Sequence, residues 1–137
     1  MINGVIANKL QTLDEVLVEL RSLGMVDAKQ LKSDWRIQRA IERDLQILVK
    51  VVIDVCQRLL ALTEQSPAAT GGDAIARCMQ LGILSDSEAY RQMVRFRNFI
   101  VHRYDRIDPL ILVDVFNKRL SDFEQFRDEV LAYVKNN

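Results

Sequence analysis

Ile41-Glu42-Arg43-Asp44-Leu45-Gln46-Ile47-Leu48-Val49-Lys50-Val51-Val52-Ile53-Asp54-Val55-Cys56-Gln57-Arg58-Leu59-Leu60-Ala61-Leu62 is the stretch on which the fold turns. Its apolar residues Ile41, Leu45, Leu48, Val52, Val55, Leu59 and Leu62 are spaced by alternating steps of four and three. That is the period of a helix with a coiled-coil-like seam. Val49, Ile53, Cys56 and Leu60 widen the apolar arc well beyond a seam. A helix apolar over so much of its circumference belongs in the middle of a bundle or between two neighbours. The spacing predicts that it begins near Ser33-Asp34 or slightly earlier and runs to about Thr63.

Outward from this helix the same period recurs. Ile6, Leu10, Leu13, Leu17, Leu20 and Leu23 predict a first helix stopped by Gly24. Glu64 to Gly72 reads as a loop, followed by a short helix over about Asp73 to Leu81 closed by Gly82. Ser85-x-x-Glu88 has the form of a capping box, which starts a helix carrying Ala89, Met93, Phe96 and Ile100 inward. Asp108-Pro109 starts a last helix running through Leu112, Phe116, Leu120, Phe123, Val130 and Val134. No stretch alternates with period two. The expected fold is all-α: an antiparallel bundle of four to five helices, one domain over residues 1–137.

The 137 residues include 19 basic and 19 acidic side chains, so no global field draws in a nucleic acid. An anionic ligand must be held by a local cluster. Cys56 and Cys78 lie apart in apolar helical stretches, and with one histidine in the chain no metal site or cofactor is expected. Met1-Ile2-Asn3-Gly4 lacks the pattern of a signal peptide, and the longest apolar stretch is too short to span a bilayer. A cytoplasmic protein without a membrane partner is expected.

One segment is not explained by packing. Arg91, Arg95, Arg97, Arg103 and Arg106 surround the single histidine, His102, and Tyr104, with Asp105 as the one acid among them. On a continuous helix Asn98 and His102 share a face, and Arg97 and Tyr104 nearly align. A guanidinium, a carboxamide, an imidazole and a phenol then meet at one helix end. Arginine binds phosphate in two-point fashion and stays charged as the transition state gains negative charge. Histidine can take a proton from a ribose 2′-hydroxyl or return one to a leaving oxygen. RNA carries its own nucleophile and needs no metal, whereas DNA lacks that hydroxyl. Acid and base roles from a chain with one histidine imply a homodimer in which two copies of His102 line one cleft.

The string Arg97-Asn98-Phe99-Ile100-Val101-His102-Arg103-Tyr104 resembles the signature of the HEPN superfamily, an arginine followed a few residues later by a histidine. The trailing His102-x-Tyr104 resembles HepT-like proteins, toxins encoded beside a minimal, MntA-like nucleotidyltransferase antitoxin. Ile41-Glu42-Arg43-Asp44, Val52-Ile53-Asp54, Gly82-Ile83 and Arg97 to Asp108 extend the resemblance over about residues 36–134. It implies a dimeric, metal-independent endoribonuclease with Arg97 and His102 catalytic. It also implies that Tyr104 is the hydroxyl to which the antitoxin transfers AMP, placing a bulky anion beside Arg97.

Each residue also has a plainer reading. His102 can cap a helix end, where its charge suits the dipole. Arg97 can pair with Asp54 or Glu42, and such an acid can also orient it as a supporting residue. Tyr104 can cover the edge of the core, and Asn98 can close the helix junction rather than touch substrate. Arg95, Arg103 and Arg106 are candidates for RNA phosphates, or solvated helix-face residues. A competing function is a non-catalytic interaction module that binds a nucleotidyltransferase partner.

Overall fold

A computed structural model describes residues 3–101 and 108–137, with the backbone alone for 100 and 101. Among the described residues it is all-helical: α1 (Gly4–Arg21), α2 (Ala28–Ser33), α3 (Trp35–Leu62), α4 (Gly71–Gln80), α5 (Glu88–Val101), α6 (Pro109–Lys118) and α7 (Leu120–Asn136). None of these helices is long and apolar enough to cross a membrane.

The long α3 begins where Asp34 Oδ1 accepts from the Arg36 amide at 3.0 Å. It packs against all six other helices, as its broad apolar arc requires. Ile41, Leu45, Leu48, Val52, Val55 and Leu59 are buried, and so are Val49, Cys56 and Leu60. Each such side chain contributes about 1.5–3 kcal/mol on leaving water. The seam runs out at Leu62, which is 53% exposed at the last turn. Ile6, Leu10, Leu13, Leu17 and Leu20 of α1 join the same core, and Gly24 adopts φ +68 just beyond.

Among the described residues seven helices stand where the sequence predicts four to five, for two reasons. The first is α2, which carries a reciprocal cap: Asp27 Oδ1 accepts from the Gln30 amide at 2.8 Å, and Gln30 Oε1 from the Asp27 amide at 2.9 Å. Buried Leu31 anchors it. The second is a break at Arg119 (φ −117, ψ 2), which divides the expected last helix into α6 and α7. The apolar period passes through the break undisturbed, so periodicity gives no sign of it. Packing explains it: α6 lies on α2 and α3, while α7 lies on α1 and α3.

The expected Ser85–Glu88 capping box is not formed. Ser85 instead binds Glu129 of α7, through its amide at 2.7 Å and its hydroxyl at 2.8 Å. Ser87 Oγ takes over as acceptor for the Ala89 amide at 3.2 Å, and α5 starts at Glu88. A carboxylate accepting two hydrogen bonds outcompetes the neutral cap geometry. Asp108 and Pro109 do start α6 as expected, with Asp108 Oδ1 accepting from the Leu110 amide at 2.9 Å.

Candidate active site

The second half of α5 presents different faces to different neighbours. Ala89, Met93 and Phe96 are buried, whereas Arg97 is half-buried and Asn98 exposed. Arg97 and Asn98 lie against the first turn of α4. A Cβ on Gly71 would stand 2.5 Å from Ile53 Cδ1 and 3.2 Å from Arg97 Nε. A Cβ on Gly72 would stand 3.2 Å from Val94 Cγ1 and 3.9 Å from Asn98 Oδ1. Both glycines are buried, and Thr70 Oγ1 caps the turn by accepting from the Asp73 amide at 3.0 Å. Backbone N–H groups at a helix start carry partial positive charge. Arg97 adds a full one beside it. The pairing suits an anion.

The acids expected near Arg97 have other partners. Asp54 binds Lys9 at 3.0 Å and Lys50 at 3.4 Å. Glu42 is buried and accepts from Gln38 Nε2 at 3.2 Å. Among the described residues no carboxylate lies within 4.0 Å of the Arg97 guanidinium.

Two arginines of the cationic segment are partly neutralised by acids just upstream of it. Arg91 binds Asp86 at 2.6 Å and Glu88 at 2.8 Å, and Arg95 binds Glu88 at 3.0 Å. These hydrogen bonds from Arg91 and then Arg95 hold the exposed Glu88 carboxyl down at about 2. An anion reaching Arg95 must displace Glu88, at small cost for an exposed pair. Arg91, Val94 and Arg95 line an open groove of about 630 Å³ between α4 and α5. His102, Arg103, Tyr104 and Arg106 lie outside the described residues.

Among the described residues no three histidine, cysteine or acidic side chains are grouped to hold a metal ion. Cys56 and Cys78 are buried free thiols, the Cys78 Sγ donating to the Cys56 carbonyl at 3.7 Å. The glycine pair is the part of the site that sequence reasoning misses. Gly71-Gly72 reads there as the end of a loop, and its only signal is two adjacent glycines where a helix begins.

The family described as Ribonuclease HepT-like matches residues 13–130. The chain belongs to the HepT-like family. The resemblance of the Arg97–Tyr104 string is borne out by a match that covers most of the bundle. This HepT-like chain is 26% identical over 132 residues to the mRNA nuclease HepT of Shewanella oneidensis, covering 95% of this chain and 98% of the relative. It is 23% identical over 133 residues to the tRNA nuclease HepT of Aphanizomenon flos-aquae, covering 95% and 90%. Its fold matches a tri-AMPylated Shewanella oneidensis HEPN toxin, solved in complex with an MNT antitoxin, with a TM-score of 0.83 at 26% identity. That match covers 96% of this chain and 99% of the toxin.

Proposed function

We propose that this HepT-like chain is a metal-independent endoribonuclease toxin, one HEPN-like domain over residues 1–137 that works in the cytoplasm as a homodimer. The observation that carries the reading is the HepT-like match over residues 13–130, whose relatives include an mRNA nuclease and a tRNA nuclease. The charge of Arg97 beside the α4 start, with no carboxylate partner among the described residues, supports a phosphate subsite there.

In this reading His102 of one protomer takes the proton of a ribose 2′-hydroxyl. The 2′-oxygen attacks the adjacent phosphorus, and the bond to the 5′-oxygen breaks. His102 of the second protomer, starting as imidazolium, gives its proton to that 5′-oxygen. The products are a 2′,3′-cyclic phosphate and a 5′-hydroxyl. Arg97 holds the phosphoryl oxygens as their charge grows. Asn98 supports the site, and Arg95, Arg103 and Arg106 hold flanking phosphates.

Tyr104 is proposed as the off-switch. A nucleotidyltransferase antitoxin transfers AMP from ATP to its hydroxyl with loss of pyrophosphate, and the added anion occupies the site of Arg97. The support is that a structural relative is a tri-AMPylated toxin in complex with its antitoxin. The same complex favours a second reading, in which the chain serves chiefly to bind that partner.

Incubating the chain with RNA in EDTA decides between them. Wild-type protein should cut the RNA and leave cyclic phosphate ends, and H102A should not. Cutting by H102A, or dependence on added metal, rules the mechanism out. Partner binding without any cutting by unmodified protein favours the second reading.

A further inference from the structure

Gln57 is half-buried on α3, one turn beyond Ile53 and on the same face. Its side chain grips one residue of the connection to α4 at both backbone groups. Nε2 donates to the Ala68 carbonyl at 3.2 Å, and Oε1 accepts from the Ala68 amide at 3.1 Å. Before Ala68, the Gln65 amide donates to the Leu60 carbonyl at 2.8 Å and closes the end of α3. After it, Thr70 caps α4. Among the described residues no other hydrogen bond holds residues 66–69. Ala68 packs partly buried against the core, between exposed neighbours.

Three residues after Ala68 comes Gly71, where the spacing is tight. The position of a Cβ there is 2.5 Å from Ile53 Cδ1 and 3.2 Å from Arg97 Nε. The face of α3 that holds the connection is therefore the face on which the first turn of α4 rests. Three residues span at most about 10 Å, which leaves little chain to absorb a displacement at Ala68 before α4 begins. No hydrogen bond joins Gln57 to Arg97. Any influence of the one on the other passes through the α4 start.

We propose that Gln57 is a positioning residue for the phosphate subsite: by gripping Ala68 it sets the height of the α4 start beside which Arg97 lies. The inference rests on the RNA-cleaving reading for its rate measurements, but the setting of Arg97 is followed without RNA. A phosphoryl group held by the α4 amides and the Arg97 fork needs both at one spacing, and a misplacement of about 1 Å costs about 100-fold in rate. The strand's other phosphate contacts do not pass through Ala68.

Gln57→Met keeps the side-chain volume and removes both hydrogen bonds. It should lower kcat about ten- to a hundredfold and change KM by less than about threefold. Gln57→Glu loses the donor as a carboxylate and regains it as a carboxylic acid. Its kcat relative to wild type should therefore climb as pH falls from about 8 to about 5. Asn117→Leu cuts a comparable tie elsewhere, the bond from Asn117 Nδ2 to the Val26 carbonyl at 3.0 Å, and should lower melting with kcat unchanged. By NMR the Arg97 Nε–H signal should move in Gln57→Met and stay in Asn117→Leu. Full kcat in Gln57→Met, a loss confined to KM, or equal kcat losses in Gln57→Met and Asn117→Leu overturns the proposal. So does an unmoved Arg97 signal, or a Gln57→Glu ratio that is flat with pH. Should Gln57→Met not fold, Gln57→Glu across the pH range carries the test. A wild-type protein that cuts no RNA defeats the nuclease reading, and the Arg97 signal alone then decides the role of Gln57.

Discussion

Gly71 and Arg97, on different helices, approach so closely that a methyl group on the glycine would stand 3.2 Å from the arginine Nε. The same methyl would meet Ile53 Cδ1 at 2.5 Å, so α3, α4 and α5 converge at this point. The arginine side chain thus lies beside the α4 start, near the point where these helices meet.

Gly71→Ala therefore forces Ile53 to move and makes Arg97 give by a few tenths of an ångström. Overpacking of this kind costs about 1–3 kcal/mol, and any shift borne by Arg97 falls on the phosphate subsite. Lowered thermal stability is expected, with cleavage reduced further than stability alone explains. Gly4→Ala is the control, because nothing lies within 4 Å of a Cβ there. It should be neutral or slightly stabilising. Melting curves and initial cleavage rates of both variants check this.

Glu88→Gln should release Arg95 and leave Arg91 held by Asp86 alone. The Glu88 carboxyl, held at about 2 by those two arginines, contributes stability that is present above its ordinary value of 4.5 and lost as pH falls toward 2. The variant should lack that acid-side loss. The freed Arg95 should bind a short RNA more tightly at low salt. The salt slope should steepen by about 0.7 if it neutralises one further phosphate, which a titration at several salt concentrations measures.

Much of this is legible in the order of residues. The α3 seam can be read because a long helix touching every neighbour must be apolar over most of its surface, and that leaves a periodic trace. The break at Arg119 leaves none, since Leu112, Phe116, Leu120 and Phe123 keep the helical period across it. The helix α2 does carry the signal Asp27-x-x-Gln30, but six residues are too few for periodicity to register. Ser85 misleads because its partner, Glu129, lies 44 positions away, and no local motif competes visibly with a distant carboxylate. The Arg97–Tyr104 string announces the family, whereas its glycine floor is a matter of three helices meeting.

Asp44→Asn should stabilise the fold at neutral pH. Burial, then the Glu19 carboxylate across the α1–α3 interface, push the Asp44 carboxyl up to about 6, with Arg43 opposing. A raised acid favours the folded state fully below its unfolded value near 3.8, and that contribution is lost as pH rises through about 6. At pH 7.5 the amide removes a charge the fold disfavours. The gain is at most about 1 kcal/mol because the group is partly exposed, or about 2–4 °C in melting temperature. It should vanish below pH 4. Melting curves of the two proteins across this range test the sign.

Arg97→Lys probes the guanidinium fork itself. Lysine keeps the charge but loses the planar two-point grip on phosphate. Because Arg97 is half-buried against Gly71 and has no carboxylate partner among the described residues, the substitution breaks no described ion pair and should leave melting little changed. Losing one preorganised donor to a growing phosphoryl charge costs about 100–1000-fold in kcat. KM should change less, since flanking phosphates still hold the strand. A fall in kcat at nearly constant KM therefore separates a residue that grips the transition state from one that merely attracts RNA. Full activity in the lysine variant would show that charge at this position is enough and the fork is not used.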